Sequence, residues 1–436
     1  MLVSMLLLQH QRVLVNSNSF GTEDKMASTA IDTSPKSLQL AQVFRGHIPE
    51  LDALRGFGIT MVILEHMWPY PRGFSKVLNL SWILMDSFFV LSGFLIAGIL
   101  LDSRSRPDYY RSFFTRRALR ILPVYYLLIT LLTCATFLHG TGYLYGGMTA
   151  LHKWGSSWWY FVYLGNVPSA ITGRGPIAAR GSFGPLWSLQ IEEQFYLLFP
   201  LLVYRLKLRT LACTLIGLAC FSTLLRIVLY WLYPANTLVQ YVLLPCRMEG
   251  LALGALIAIR FRMGPWELSK KKLTLMAITL MAITCFLGAW NGYNWTSPFN
   301  RTIGFLISPI ACAYVLLWLI RFRGSRLTAC LRLPPLQHLS KISYGAYLFH
   351  VPVASVLVPI SIALGVGALG HGYLKVVTVF VLTVILASLS WHFFESPLLR
   401  LKERLSPKQI PPDGASGFTV DGPHGSLVPI SNSSNR

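Results

Sequence analysis

The chain has 436 residues, of which 53% are hydrophobic and only 13% are charged. Soluble domains carry about 25% charged residues, so this composition excludes a soluble multidomain enzyme, and the high apolar content excludes a disordered protein. The net charge of +21 is typical of a polytopic membrane protein whose basic residues collect in cytoplasmic loops. We therefore predict an all-α integral membrane protein.

The predicted transmembrane helices follow one another along most of the chain. A span needs about 20 apolar residues. We predict about ten spans, at residues 52–70, 82–101, 117–138, 185–204, 210–233, 238–259, 273–291, 302–322, 338–364 and 373–394. The loops on the two sides hold 22 and 8 basic residues, respectively. Because the richer set belongs in the cytoplasm, we place both termini there.

We divide the chain into three regions. Residues 1–48 form a polar N-terminal tail, residues 49–400 form the ten-helix domain, and residues 401–436, rich in Pro, Gly and Ser, form a C-terminal tail that we expect to be disordered. We expect no soluble catalytic domain at either end. None of the seven cysteines stands in a C-x-x-C pair, so we expect neither a metal site nor a disulfide framework.

The first span carries two ionisable side chains, which inside a membrane usually mark function. Arg55 and His66 are eleven residues apart, close to three helical turns and about 16 Å, so both lie on one face. Arg55 on the cytoplasmic side suits an anion, and His66 further out suits a proton acceptor. The alternatives are an arginine that extends to the inner headgroups and a structural histidine.

Two arginines stand at the start of the third span. Arg117 and Arg120 are three residues apart and are therefore neighbours on a helix surface. Planar guanidinium groups suit phosphate, because each can donate two parallel hydrogen bonds. The pair is equally typical of a phosphate site and of basic anchors that contact lipid phosphate on the cytoplasmic side.

The fourth span begins with a polar face. Ser188 and Glu192 are one helical turn apart on that face, at a depth similar to that of His66. A buried carboxylate near a histidine can orient the ring and stabilise its protonated form, as in hydrolase triads. The alternative is an ion pair between Glu192 and Arg226 or Arg247.

Three further side chains complete the candidate site. His350, near the middle of the ninth span, is either a second active-site histidine or a structural one that makes hydrogen bonds. Arg247, in the sixth span, and Trp187, at the start of the fourth, are secondary candidates.

Six segments, in this order along the chain, resemble the membrane acyltransferase type 3 family. They are LDALRG with the later histidine (51–66), FFVLSGFLI (88–96), RRALRILP (116–123), PLWSLQIEEQFY (185–196), SYGAYLFH (343–350) and FESP (394–397). The resemblance covers about residues 49–400 and implies a ten-helix membrane enzyme. Such enzymes move an acyl group, commonly acetyl, from cytoplasmic acyl-CoA to a hydroxyl on the far side, and no tightly bound cofactor or metal is expected.

The family's motifs fall on the pairs Arg55 and His66, Arg117 and Arg120, and Ser188 and Glu192. One departure is Glu65, where the family usually has an apolar or aromatic residue. This carboxylate is expected to point away from the face that carries His66. Many relatives also have an extracytoplasmic hydrolase-like domain, so we expect this chain to finish transfer alone or with a separate partner.

The resemblance and the spacing together predict a mechanism. The phosphates of acyl-CoA, most simply acetyl-CoA, bind the arginine pair of the third span, with Arg55 nearby. His66 acts as general base on the acceptor hydroxyl and is held by Glu192. Ser188 positions the acceptor or carries the acyl group transiently. The acceptor is a hydroxyl-bearing glycan, lipid or small molecule; membrane lipids surround the enzyme, and nucleic acid is not expected to bind.

One rival function remains from the sequence. A multi-pass transporter or exporter of an anionic or lipid-linked substrate also has polar residues within its spans and a basic inner face. The absence of internal repeats in this sequence counts against a transporter. For either function we expect a multi-pass protein, in the plasma membrane if the source is bacterial.

Overall fold

A computed structural model describes residues 37–38, 48–69, 78–138, 158–173, 183–264, 266–292, 294–405, 418–421 and 426–429. Most of the two predicted tails, at residues 1–48 and 401–436, lies outside the described residues. Two short antiparallel strand pairs occur in the described part of the chain. β1 (Ser37–Leu38) pairs with β2 (Trp266–Glu267), and β3 (Phe418–Asp421) pairs with β4 (Ser426–Pro429).

Helices make up nearly all of the regular structure, in agreement with the predicted all-α class. The described α-helices are α1 (Pro49–Met67), α2 (Trp82–Ser103), α3 (Tyr109–Leu138), α4 (Trp158–Phe161), α5 (Asn166–Thr172), α6 (Trp187–Arg205), α7 (Leu208–Leu232), α8 (Leu238–Val242), α9 (Met248–Arg262), α10 (Lys270–Trp290), α11 (Phe305–Arg321), α12 (Pro334–Lys341), α13 (Ser343–Ala363), α14 (Gly372–Ser390) and α15 (Ser396–Leu405). Short 3₁₀ turns cover Asn79–Ser81, Gly184–Leu186, Leu244–Cys246, Ala329–Arg332 and Gly367–Gly370, and π turns cover Asn300–Gly304 and Trp391–Glu395.

Seven helical segments of the described chain are long and apolar enough to cross a membrane. They are Asn79–Ser103, Tyr109–Cys134, Leu208–Leu232, Lys270–Trp290, Asn300–Arg321, Ser343–Ala363 and Gly372–Arg400. These segments overlap seven of the ten predicted spans and make the chain a multi-pass membrane protein. The count of ten and the cytoplasmic placement of the termini stay predictions.

The other three predicted spans fall on helices that are short or polar. Helix α1 contains four charged residues, and the first half of α6 contains two glutamates and two glutamines. The predicted span 238–259 is corrected by the structure, because it is divided into α8, a 3₁₀ turn and the 15-residue α9. Pro245 lies in that turn, and proline lacks the N–H that a continuous helix needs. The predicted span 338–364 is likewise divided, at Ile342, between α12 and α13.

The centre of the bundle is the contact between α2 and α9. A Cβ atom added at Gly93 would overlap the backbone carbonyl of Leu251, and one added at Gly254 would overlap that of Val90. The two glycines therefore let the helix backbones touch, as small residues do in other membrane helix pairs. In the most apolar window of Asn79–Ser103, 72% of the residues are buried, against 22% in Lys270–Trp290. Thus α2 lies inside the bundle and α10 on its periphery.

The start of α1 is attached to the loop after α11. The Glu50 carboxylate is buried and accepts hydrogen bonds from the Gly324 amide at 2.8 Å, the Thr328 hydroxyl at 3.1 Å and the Arg332 guanidinium at 2.6 Å. Burial by itself raises the pKa of Glu50, but the hydrogen bonds from Gly324, Arg332 and Thr328 together hold it below its ordinary value. These bonds fix the helix that carries two of the predicted site residues.

Candidate active site

A cavity of about 520 Å³ lies between α1, α2, α3, α6 and α13. Along α2 it extends from Met85 to Asp102, which is about 25 Å of helix at 1.5 Å per residue. Its polar lining consists of Asp52, Arg55, Ser92, Asp102, Arg117, Arg120, Ser188, Glu192, Ser343, Tyr344 and Tyr347. The cavity therefore brings together five of the six residues that the three sequence motifs predict, all except His66.

The three predicted arginines line the cavity in different electrostatic states. Arg55 forms an ion pair with Asp52 at 2.8 Å, one helical turn before it. Arg117 forms an ion pair with Glu193 at 3.3 Å, and its guanidinium carbon lies 3.2 Å from the centre of the Tyr196 ring.

Arg120 differs from the other two. In the part of the chain that the structure describes, no carboxylate lies within ion-pair distance of Arg120, and its side chain is exposed and lines the cavity. Because a neighbouring carboxylate already neutralises Arg55 and Arg117, Arg120 supplies most of the uncompensated positive charge in this group.

Helix α6 presents Ser188 and Glu192 to the cavity, as their one-turn spacing predicts. The Ser188 and Tyr347 hydroxyl oxygens are 2.6 Å apart, and the Tyr347 hydroxyl also donates to the Pro185 carbonyl. A tyrosine hydroxyl has one proton, so Ser188 must be the donor in its bond with Tyr347. The Glu192 carboxylate lines the cavity together with Ser92, whose hydroxyl lies 2.5 Å from the Tyr196 hydroxyl.

Two histidines meet beside Tyr347, outside the cavity lining. The Nδ1 atom of His66 lies 3.0 Å from the Nε2 atom of His350, and the rings stack with centroids 5.1 Å apart. The Nδ1 atom of His350 lies 2.7 Å from the Tyr347 carbonyl oxygen. His350 is fully buried, whereas 36% of the His66 side chain is exposed. The structure therefore joins Ser188, Tyr347, His350 and His66 through neighbouring polar contacts.

The hydrogen bonds assign the protons of the two rings. A carbonyl oxygen only accepts, so Nδ1 of His350 carries a proton and donates it to Tyr347. A neutral imidazole then has a lone pair on Nε2, which accepts from Nδ1 of His66. The remaining lone pair of His66 is on Nε2, the atom that can take a proton from a substrate.

The carboxylate beside that atom belongs to Glu65. The sequence predicted that this side chain would point away from the face that carries His66. Its Oε2 atom lies 3.4 Å from Nε2 of His66, and 31% of the Glu65 side chain is exposed. Among the described residues, no ion pair joins Glu192 to His66. Sequence reasoning missed Glu65 as a partner of His66, and it also missed Tyr347. The spacing of Tyr347, three residues before His350, is a signal that places both on one helical face.

The secondary candidates Arg247 and Trp187 lie outside the cavity lining. Arg247 is buried and binds Asp86 at 2.7 Å, with its guanidinium carbon 3.9 Å from the centre of the Phe305 ring. Trp187 packs between the rings of Phe89 and Tyr241. Both side chains support the wall between the cavity and the interior of the bundle.

The predicted alternative partners of Glu192 are both engaged elsewhere. Arg226 forms an ion pair with Glu249 and donates to the carbonyls of Cys246 and Thr302, and Arg247 forms its ion pair with Asp86. The alternative in which Glu192 pairs with either arginine is therefore wrong. Within the described ranges, no three His, Cys, Asp or Glu side chains are grouped to hold a metal ion.

The chain is similar in sequence to known acyltransferases. Residues 48–392 match a family model described as an acyltransferase domain. The chain is 31% identical over 376 residues to the putative peptidoglycan O-acetyltransferase YrhL of Bacillus subtilis, and 29% identical over 372 residues to the peptidoglycan O-acetyltransferase OatA of Listeria monocytogenes. It is 27% identical over 376 residues to the O-acetyltransferase OatA of Staphylococcus aureus.

These alignments differ in how much of each protein they cover. Each covers 81% of this chain but only 55%, 56% and 57% of the three relatives, respectively. The chain thus spans a little more than half the length of the curated relatives it matches. No solved structure matches the chain.

Proposed function

The chain belongs to the membrane acyltransferase type 3 family, and from this premise we propose that it is an O-acetyltransferase. It moves an acetyl group from acetyl-CoA to a hydroxyl of a cell-envelope glycan. One observation carries the proposal. The cavity that holds three arginines is also lined by Ser188, whose hydroxyl bonds Tyr347. The Tyr347 carbonyl in turn contacts His350, the buried partner of His66.

The donor site is the arginine-lined part of the cavity. Acetyl-CoA carries a phosphate and a pyrophosphate, and guanidinium groups bind such oxygens through paired, charge-assisted hydrogen bonds. Arg120 offers the largest uncompensated charge, and Arg55 and Arg117 border the same space. The cavity follows about 25 Å of α2 and is lined by both these arginines and Ser188, so one chamber can hold the phosphates and the pantetheine arm.

The base is Nε2 of His66. It takes the proton of the acceptor hydroxyl while the oxygen forms a bond to the thioester carbonyl carbon. The carbon–sulfur bond then breaks, and the CoA thiolate takes the proton from His66 to leave as the thiol. His350 holds the His66 ring through its 3.0 Å contact with Nδ1, which leaves Nε2 as the atom that takes the proton.

Ser188 and Glu192, which line the cavity, act as positioning residues. An activated serine nucleophile needs a base that accepts its proton. The Ser188 proton is instead directed to Tyr347, which favours positioning over a covalent acyl-enzyme. Glu192 lines the path of the thioester together with Ser92, whose hydroxyl contacts that of Tyr196.

The acceptor is inferred from the names of the relatives. Two of them are named as peptidoglycan O-acetyltransferases, so a hydroxyl of a peptidoglycan saccharide is the acceptor we propose. Either the acetyl group passes directly to this hydroxyl, or a separate extracytoplasmic protein completes the transfer.

A reconstituted assay tests the function. The purified chain in proteoliposomes is given acetyl-CoA labelled in the acetyl group together with soluble peptidoglycan fragments, and ester-linked label on the saccharide is measured. We expect label that is released by mild base and that is absent with His66→Ala. Uptake of the intact labelled molecule without any acetylated product would instead establish the transporter.

A further inference from the structure

We propose that Glu65 is a positioning residue that works through His66, by stabilising the imidazolium that forms when Nε2 takes the acceptor proton. The inference rests on the proposed function and deepens it, because it assigns the acid partner of the base to Glu65 rather than to Glu192. Its geometric basis is the 3.4 Å separation between Oε2 of Glu65 and Nε2 of His66.

The two sides of the His66 ring face different groups. Nδ1 faces His350, whose own proton is committed to the Tyr347 carbonyl, so His350 accepts from His66 and does not supply charge. Nε2 faces the Glu65 carboxylate. A proton on Nε2 therefore lies next to a negative charge, and the interaction is stronger for the imidazolium than for the neutral ring. Only such differential stabilisation speeds a reaction step.

The position of the pair in α1 makes this contact feasible for adjacent residues. Neighbouring side chains on a helix point about 100° apart. Glu65 and His66 lie in the last turn of α1, which ends at Met67, so no following helical turn lies beside their side chains. The negative end of the helix dipole lies here and also favours a cation on His66. Both side chains are about one-third exposed, which leaves room for an acceptor hydroxyl to reach Nε2.

The proton balance is complete without another group. The acceptor O–H bond breaks, the proton moves to Nε2, and Glu65 remains a carboxylate throughout, as the aspartate does in hydrolase triads. The same proton then moves from Nε2 to the departing CoA sulfur. Glu65 is thus not consumed, and its charge acts only while His66 is protonated.

The test replaces Glu65 by Gln, which keeps the shape and removes the charge, with Glu65→Asp as a partial rescue. The matched control is Glu267→Gln, on an exposed side chain of β2. We expect Glu65→Gln to lower kcat about 10- to 100-fold with an unchanged KM for acetyl-CoA. The acid limb of the pH–rate profile should move to lower pH, because a neutral amide replaces the carboxylate beside Nε2 of His66. Glu65→Asp should recover part of kcat.

A second measurement does not depend on catalysis. Nitrogen-15 NMR of histidine-labelled protein, with the His66 signal assigned from its loss in His66→Ala, follows protonation of that ring directly. We expect the midpoint to fall by about 0.5–1 pH unit in Glu65→Gln and to stay in place in Glu267→Gln. Unchanged midpoint and unchanged kcat in Glu65→Gln overturn the proposal. A lowered midpoint in a chain that transfers no acetyl group supports the pairing while the proposed function fails.

Discussion

Two clusters of charged residues lie within the same bundle and use their arginines in opposite ways. In the buried cluster, Arg226 and Arg247 are almost fully enclosed and each has its own carboxylate, Glu249 and Asp86. In the cavity, Arg120 is exposed and no carboxylate of the described residues pairs with it. Charges in a membrane interior are tolerated when they are paired or lie in a wet cavity.

The difference indicates what each cluster is for. In the buried cluster each guanidinium charge is neutralised by a carboxylate within the protein, and the two ion pairs link α2, α7 and α9. An arginine that lines a cavity without a carboxylate keeps its donors for an incoming anion. An ionisable residue in a span is therefore a candidate site only once its partner is known. The following predictions, from the largest effect to the smallest, separate the two clusters.

Removal of one buried partner has the largest expected effect. Glu249→Ala leaves Arg226 buried without a carboxylate, which costs about 3–5 kcal/mol, so we expect little folded protein after mild detergent extraction. The double variant Arg226→Met/Glu249→Leu removes both charges and should recover much of the thermal stability, measured by fluorescence-detected size-exclusion chromatography. If the double variant is as unstable as Glu249→Ala, the unpaired charge of Arg226 is not the cause of the instability.

Removal of the base affects activity without affecting the fold. His66→Ala should lower kcat by about 10²- to 10⁴-fold, the usual contribution of a general base, because the imidazole that takes the acceptor proton is lost. Its melting temperature should stay within a few degrees of the wild type, since the His66 side chain is one-third exposed. Normal transfer by this variant dismisses His66 as the base.

Loss of the arginine pair affects the donor. Arg117→Ala/Arg120→Ala should raise the KM for acetyl-CoA about 10- to 100-fold with a smaller change in kcat, because phosphate binding is used equally in the ground and transition states. The control Arg117→Lys/Arg120→Lys keeps the charge but loses the planar fork and should be intermediate. If the KM for acetyl-CoA is unchanged in the alanine variant, the two arginines are basic anchors on the cytoplasmic side of the membrane and not a phosphate site.

The smallest effect concerns the attachment of α1. The pKa of Glu50 is held below its ordinary value, so its ionised form stabilises the folded chain above the unfolded pKa of about 4.3, and that stability is lost as the pH falls through the lower folded pKa. Glu50→Gln should cost about 1–2 kcal/mol at pH 7 and less below pH 4. Thermal melts of both proteins from pH 3.5 to pH 7 measure this, and a constant difference across that range contradicts an ionised Glu50.

Much of the site was accessible from local periodicity. Ser188 and Glu192 share a face of α6 and line one cavity, and the arginine pair of α3 lines the same cavity, because i,i+3 and i,i+4 neighbours are fixed by the helix itself. The apolar stretches likewise predicted most helices, because a bilayer requires runs of about 20 apolar residues. The prediction was wrong where Pro245 divides a stretch into α8 and α9.

The sequence by itself determined the membrane class, most of the helices and the face on which each motif residue lies, since these depend on neighbours within a few turns. Only the tertiary structure decided which faces meet. It pairs His66 with His350, 284 residues away in the chain, and it assigns Asp86 rather than Glu192 to Arg247. It also directs Glu65 to His66. Such contacts depend on how separate helices pack and on side-chain rotamers at a helix end, which spacing along one helix does not specify.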